Sequence, residues 1–305
     1  MRSFVGVTLP HFAVRDLKRN ALLFEQNVIF ELPALVRLCK EKDDYQGHEG
    51  PIVAKTLEWL EEQGVIVGIT PETLGEMSAA ATPTAEAFRS QINETMGLYI
   101  DERKRAGVPV LLSEVGGGDF IGDVMGRAIA LSLRDMKGLD AVSTIAPHKL
   151  VNQLVPSAQG LGDVVQVVLD GLPVPAETTA WEAIIEFRSD ATAIAKLLGL
   201  RRWMNQMATG TIDPQKLEQE IEWLLHEYEE HMRLHQLKIN KGSLEMVVTL
   251  AAGLVEDVVK LKFRDAAGLL FERTHRRIAL MEAERGAPGR ELAYLSKARS
   301  AFSTQ

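Results

Sequence analysis

Histidines and carboxylates crowd one decapeptide, HEYEEHMRLH at 226–235, which holds three of the seven histidines of the chain. The zinc-protease pattern H-E-x-x-H sets two histidines four apart on one helical face. Here Glu230 stands where the second histidine belongs, and His231 comes one residue late. At about 100° per residue, His231 lies about 140° around the helix from His226, so those two cannot share an ion. His231 and His235 are four apart, and Glu227 is four before His231. Glu227, His231 and His235 therefore form a ladder of one carboxylate and two imidazoles, a donor set that suits zinc or another transition metal. The same helix offers a competing use for these rings. Leu217, Ile221, Leu224, Leu225, Tyr228, Met232 and Ile239 form its apolar stripe, with His235 inside it and His231 at its border.

A second constellation depends on the ends of strands. SEVGGGDFIG at 113–122 follows a predicted strand and precedes a predicted helix, the context of a phosphate loop. The spelling departs from G-x-G-x-x-G, because Gly116 and Gly118 fit but Ile121 occupies the third glycine position. No G-K-[ST] follows, and Glu114 and Asp119 beside the glycines repel phosphate. In open α/β sheets ligands sit beyond the carboxyl ends of strands. The polar residues that follow predicted strands are His11, Glu114, Asp119, His148 and Asp170. Two imidazoles and three carboxylates converging on one sheet edge would bind a divalent metal, or pair a base with its orienting group.

Basic residues make a third set. LRRW at 200–203 puts Arg201 and Arg202 beside Trp203, a combination able to grip an anion or stack on a base. RTHRR at 273–277 contributes Arg273, Arg276 and Arg277. The net charge is −8, yet residues 260–299 hold ten Lys/Arg against five Asp/Glu, which makes that stretch +5 and the remainder −13. A basic end on an acidic protein can meet nucleic acid or an acidic partner. No G-x-S-x-G elbow occurs. Cys39, the single cysteine, excludes an internal disulfide and any multi-cysteine zinc site. It lies in the apparent helix ALVRLCKEK, as a core thiol.

The elements that must position these residues divide the chain in two. SFVGVTL (3–9), NVIFEL (27–32), GVIVGI (64–69), VPVLLS (108–113), DAVSTI (140–145) and DVVQVVL (163–169) read as strands, each short and bounded by Gly, Pro or Asp. Helical patterns separate them, at 51–64, 82–107 and 119–138. This alternation predicts an α/β domain over 1–172 with a mostly parallel sheet, doubly wound or barrel-like. The prolines of DGLPVPAETTAWE then break the pattern, and Thr179 with Glu182 spells a capping box. From there the sequence predicts an all-α domain over 178–305, with helices over 180–210, from Asp213-Pro214 to about Asn240, from Leu244 to about Glu284, and over 287–302. AAGLVE (251–256) recurs as AAGLLFE (266–272), a small-residue face suited to a helix seam or to self-association.

The opening MRSFVGVTLPHF is too short in its apolar run for a signal peptide, and MVVTLAAGLV (246–255) is too short to span a bilayer. A cytoplasmic protein is expected. ALLFEQNVIFEL, EWLEEQGVI and WEAIIEFRSD leading to LRRWMNQM resemble bacterial proteins of about this length that sometimes lie near mobile or phage-defence genes. The resemblance implies a bacterial, cytosolic component of a multi-gene system and brings no catalytic residues. The first functional expectation is a sensor, adaptor or regulator acting through protein contacts with another subunit or with itself. The alternatives are a metal-dependent hydrolase or nuclease using the strand-end set, and nucleic-acid binding through the basic helices. No residue pattern names a cofactor.

Overall fold

The computed structural model describes residues 3–70, 73, 117–146, 160–210, 213–252 and 278–303. The expected strands at 108–113, the helix at 82–107, and Glu114, His148, Arg273, Arg276 and Arg277 lie outside them. The body opens with β1 (Phe4–Thr8), α1 (Pro10–Leu23), β2 (Gln26–Phe30) and α2 (Leu32–Glu41). A short hairpin, β3 (Asp44–Tyr45) and β4 (His48–Glu49), leads to α3 (Gly50–Glu62) and β5 (Ile66–Ile69). Then come α4 (Gly117–Lys137) and β6 (Asp140–Ser143). The four longer strands form one parallel sheet in the order β5-β2-β1-β6. The register pairs Val7 with Val28 on one side and with Ser143 on the other, while Val28 meets Val67.

Period-two alternation dictates which layer each strand residue joins. Val5, Val7, Val28, Phe30, Ile69 and Ala141 pack with Ile129 and Leu133 of α4 on one face. Phe4, Ile29, Ile66 and Val142 turn to the other face, where Leu22 of α1, Leu35 of α2 and Leu57 of α3 cover them. Both faces are covered, which explains the near-continuous apolar spelling of the strands. Gly6 is required by close approach. A Cβ there would fall 2.6 Å from the Phe24 ring.

The helical half comprises α5 (Gly160–Gly171), α6 (Trp181–Ser189), α7 (Ala191–Met207) and α8 (Pro214–Ala252), a helical segment over 278–286 termed α9, a 3₁₀ turn (Arg290–Leu292), and α10 (Ala293–Phe302). Among the described residues no strand follows β6. An α/β region followed by a helical region is therefore the architecture. The segment 163–169 corrects the sequence reading, being helical rather than extended. Val164, Val165, Val168 and Leu169 are all buried, and their i, i+1, i+4, i+5 spacing is that of one helix face. The capping box also fails. Ala180 is the N-cap of α6 with no side-chain cap, and the Thr179 N–H donates to the Ala176 carbonyl instead. The break read near 241–243 is absent, and α8 continues from Pro214 to Ala252.

The apolar cluster on the α1/α3 face does not stop at the connection after α5. It continues into Val164 and Leu169, then Leu200, Trp203, Ile221, Leu225, Tyr294 and Leu295. Polar pins cross the same junction. Lys18 Nζ donates to the carbonyls of Ala176 (3.2 Å), Glu177 (2.6 Å) and Thr179 (2.8 Å), which fastens the proline-containing connection to α1. Burial of that ammonium pushes its pKa down, partly offset by Glu177. Tyr294 Oη donates to the Leu22 carbonyl, and Arg299 Nε to that of Gly171 at 3.1 Å. Among the described residues, no helix is long and apolar enough to cross a membrane. Cys39 is a free, buried thiol, pushed up in pKa by desolvation.

Candidate ligand groove

The strand-end set is only partly at the strand ends. His11 is the second residue of α1, directly beyond β1, and Asp119 is the third of α4. Since α4 ends two residues before β6 begins, its first turns lie toward the carboxyl end of that strand. The backbone positions of His11 and Asp119 thus share the carboxyl edge of the sheet. The strand order reverses there, between β1 and β6. Asp170 leaves the group, because it sits in the last turn of a helix. Its carboxylate meets Arg19 Nη1 at 3.5 Å, and burial raises its pKa against the pull of that arginine. Beside β6 a cavity of about 40 Å³ is lined by Asp123, Arg127, Ser143, Asp163 and Gln166, with Arg127 Nε donating to Asp123 at 2.6 Å. It has room for little more than water.

The histidine ladder of α8 is not assembled for a metal. His231 Nε2 lies 3.1 Å from the Ala283 carbonyl, and its ring packs on that of His235 with centroids 4.5 Å apart. No group of three His, Cys, Asp or Glu among the described residues could hold an ion. His231 instead joins α8 to α9, the use that the apolar stripe had offered.

The two neighbouring arginines of LRRW part company. Arg201 is 3% exposed, forms an ion pair with Glu25, approaches Asp140 at 3.9 Å and lies 4.9 Å over the Phe4 ring. Its guanidinium belongs to the junction of the two regions and has no surface to offer nucleic acid. Arg202 turns about 100° away along the helix and is exposed. It opens on a groove of about 620 Å³ between α7 and α9, the size of a small-molecule site.

The groove is built by a repeat of small and basic residues along α7. Ala195, Gly199 and Arg202 recur at helical spacing and leave a channel beside Trp203 and Met281. Asp190 starts α7 in register by accepting from the Ala193 N–H at 2.8 Å. On the far wall α9 supplies Glu284 and Arg285, and the 3₁₀ turn supplies Arg290 and Glu291. Gly289 makes that turn possible. It holds φ +66°, and a Cβ on it would stand 2.2 Å from the Leu224 carbonyl oxygen.

Four cationic groups thus face two carboxylates, a local excess of positive charge in a chain of net −8. Lys196 is committed. Its Nζ forms an ion pair with Glu284 and reaches Tyr228 Oη at 3.4 Å. Tyr228 Oη donates to Glu284 Oε1 at 3.1 Å. Burial, and then the Glu284 charge, hold the Tyr228 hydroxyl far above its ordinary range, so it remains a donor. Arg290 donates to the Arg285 carbonyl at 2.5 Å and lies 3.4 Å from Glu291. Among the described residues no ion pair engages the Arg202 or Arg285 guanidinium. The sequence singled out Arg202 and Trp203. It gave no means of adding Lys196, Glu284, Arg285 and Arg290, which are brought there only by the packing of α9 on α7 and α8. No family model, curated protein or solved structure matches the chain.

Proposed function

We propose that this protein is a sensor-type regulatory component that holds an anionic ligand in the groove between α7 and α9. The observation that carries the reading is the convergence of Arg202, Arg285 and Arg290 on one ligand-sized groove of an acidic protein. Guanidinium forks suit carboxylate and phosphate oxygens. A route for signalling is built into α7. One turn of that helix presents Arg202 to the groove and Arg201 to Glu25 and Asp140 of the α/β body, so a shift of α7 on binding acts on both. A protein partner that reads the state has a surface to meet on α8, where Trp223 (55% exposed) and Leu234 (46%) are eleven residues apart and share nearly one face. The test is a thermal-shift titration of the full chain with phosphate, triphosphate, a nucleoside triphosphate and polyglutamate. At least one should raise the melting temperature, and Arg202→Gln together with Arg285→Gln should remove the rise. A flat response to every anion sinks the reading.

A second reading has one specific support, the shared position of His11 and Asp119 at the carboxyl edge where strand order reverses. It is metal-dependent hydrolysis. It requires a bound divalent ion, and His11→Ala would abolish that binding while leaving the groove intact.

A further inference from the structure

Resting on the anion-binding reading, the geometry points to a narrower ligand class: a nucleoside phosphate, either free or as the terminal nucleotide of a single strand. Three features of the groove each select a part of it. Arg202 from α7 and Arg285 from α9 approach from opposite walls, which suits an anion with several oxygens arranged around one centre, as in a phosphate. On the α9 wall, Glu284 receives both Lys196 and Tyr228 on Oε1. Its other oxygen is left to accept from a ligand N–H or O–H, as a sugar hydroxyl or a base amino group provides. Met281, 47% exposed, and the narrow exposed edge of the otherwise buried Trp203 give an apolar strip on which a flat ring can lie. Phosphate, hydrogen-bond donor and flat apolar body within about 620 Å³ describe a nucleotide.

Gly199 supplies a clean way to ask. It lines the groove, and a Cβ built on it meets nothing within 4 Å. A leucine there enters open space and fills the channel, while its helix propensity exceeds that of glycine. The experiment is isothermal titration of the full chain with AMP and GMP, their triphosphates, adenosine, inorganic triphosphate, polyglutamate and a short single-stranded oligonucleotide. Nucleotides should bind, with adenosine and inorganic triphosphate each about tenfold weaker or worse, since each lacks one part. Arg202→Gln and Arg285→Gln should each weaken nucleotide binding about tenfold. Gly199→Leu should abolish it with a melting temperature no lower than that of the natural protein. Preference for the oligonucleotide over the mononucleotide assigns the source to a strand end. Binding only of inorganic triphosphate or polyglutamate, lost in Arg202→Gln, overturns the nucleotide assignment and leaves the sensor reading standing. Nucleotide binding that survives Gly199→Leu also overturns it. No binding by any probe removes both.

Discussion

Adjacent arginines with opposite tasks are the sharpest residue-scale feature of this molecule. A guanidinium at 3% exposure must be paid for by partners, and Arg201 has them in Glu25, Asp140 and the Phe4 ring. Removing it strands a carboxylate and opens a void beside the sheet. Glu25 is 44% exposed, so water recovers part of the loss. Arg201→Gln should therefore destabilise by about 2 kcal/mol, below the range for fully buried pairs. Arg202→Gln should stay within about 0.5 kcal/mol, as surface changes do. Urea denaturation of the two variants side by side checks this, and equal losses would show that the burial contrast does not govern their energetics. From sequence the two residues are indistinguishable, since neither i→i+1 spacing nor composition says which one meets the body.

At the scale of elements, α7 depends on its first residue contact. Asp190 Oδ1 accepts from the Ala193 N–H at 2.8 Å and from Lys297 Nζ of α10 at 2.9 Å. The Lys297 hydrogen bond, and then that of Ala193, hold its carboxyl below the usual carboxylate range. A depressed folded value means that the unfolded chain binds the proton first. The contribution is complete above the unfolded value of about 3.9 and is lost as pH falls through the folded one. Asp190→Asn keeps an acceptor but cannot titrate. Its melting temperature should fall less steeply than that of the natural protein below about pH 4.5. Parallel acid limbs would dismiss the linkage. Elements differed in how far sequence revealed them. β1, β2, β5 and β6 were legible because both their faces are buried and their ends carry Gly, Pro or Asp. That same doubly buried spelling misled at α5, where DVVQVVL is apolar for the sake of a helix wedged between the sheet and α7 and α8. Short apolar runs carry no periodicity that separates the two cases. The groove stayed hidden for a different reason, since Lys196 and Glu284 are 88 residues apart in sequence.

The whole molecule is held as one unit by its junction. Separate domains have separate cores and cross their boundary with few contacts. Here a single apolar cluster runs from Phe4 and Leu57 through Val164 to Leu200 and Tyr294. The crossing also carries Arg201 on Glu25, Arg188 Nη2 on the Glu25 carbonyl at 2.6 Å, Tyr294 on Leu22, and the three-carbonyl clamp of Lys18. Unfolding either region alone would expose the shared cluster and strand several of these donors, each at a cost of about 1–3 kcal/mol. Intermediate states are therefore penalised, and one endotherm with a calorimetric to van't Hoff enthalpy ratio near 1 is expected for the full chain. Lys18→Met probes the coupling directly. It removes the clamp while leaving Leu22, Leu200 and Tyr294 in place, so the transition should broaden before it shifts far. Two resolved endotherms in the natural protein would mean that the junction is too weak to couple the regions. The passage from an occupied groove through α7 to the body would then lose its physical basis.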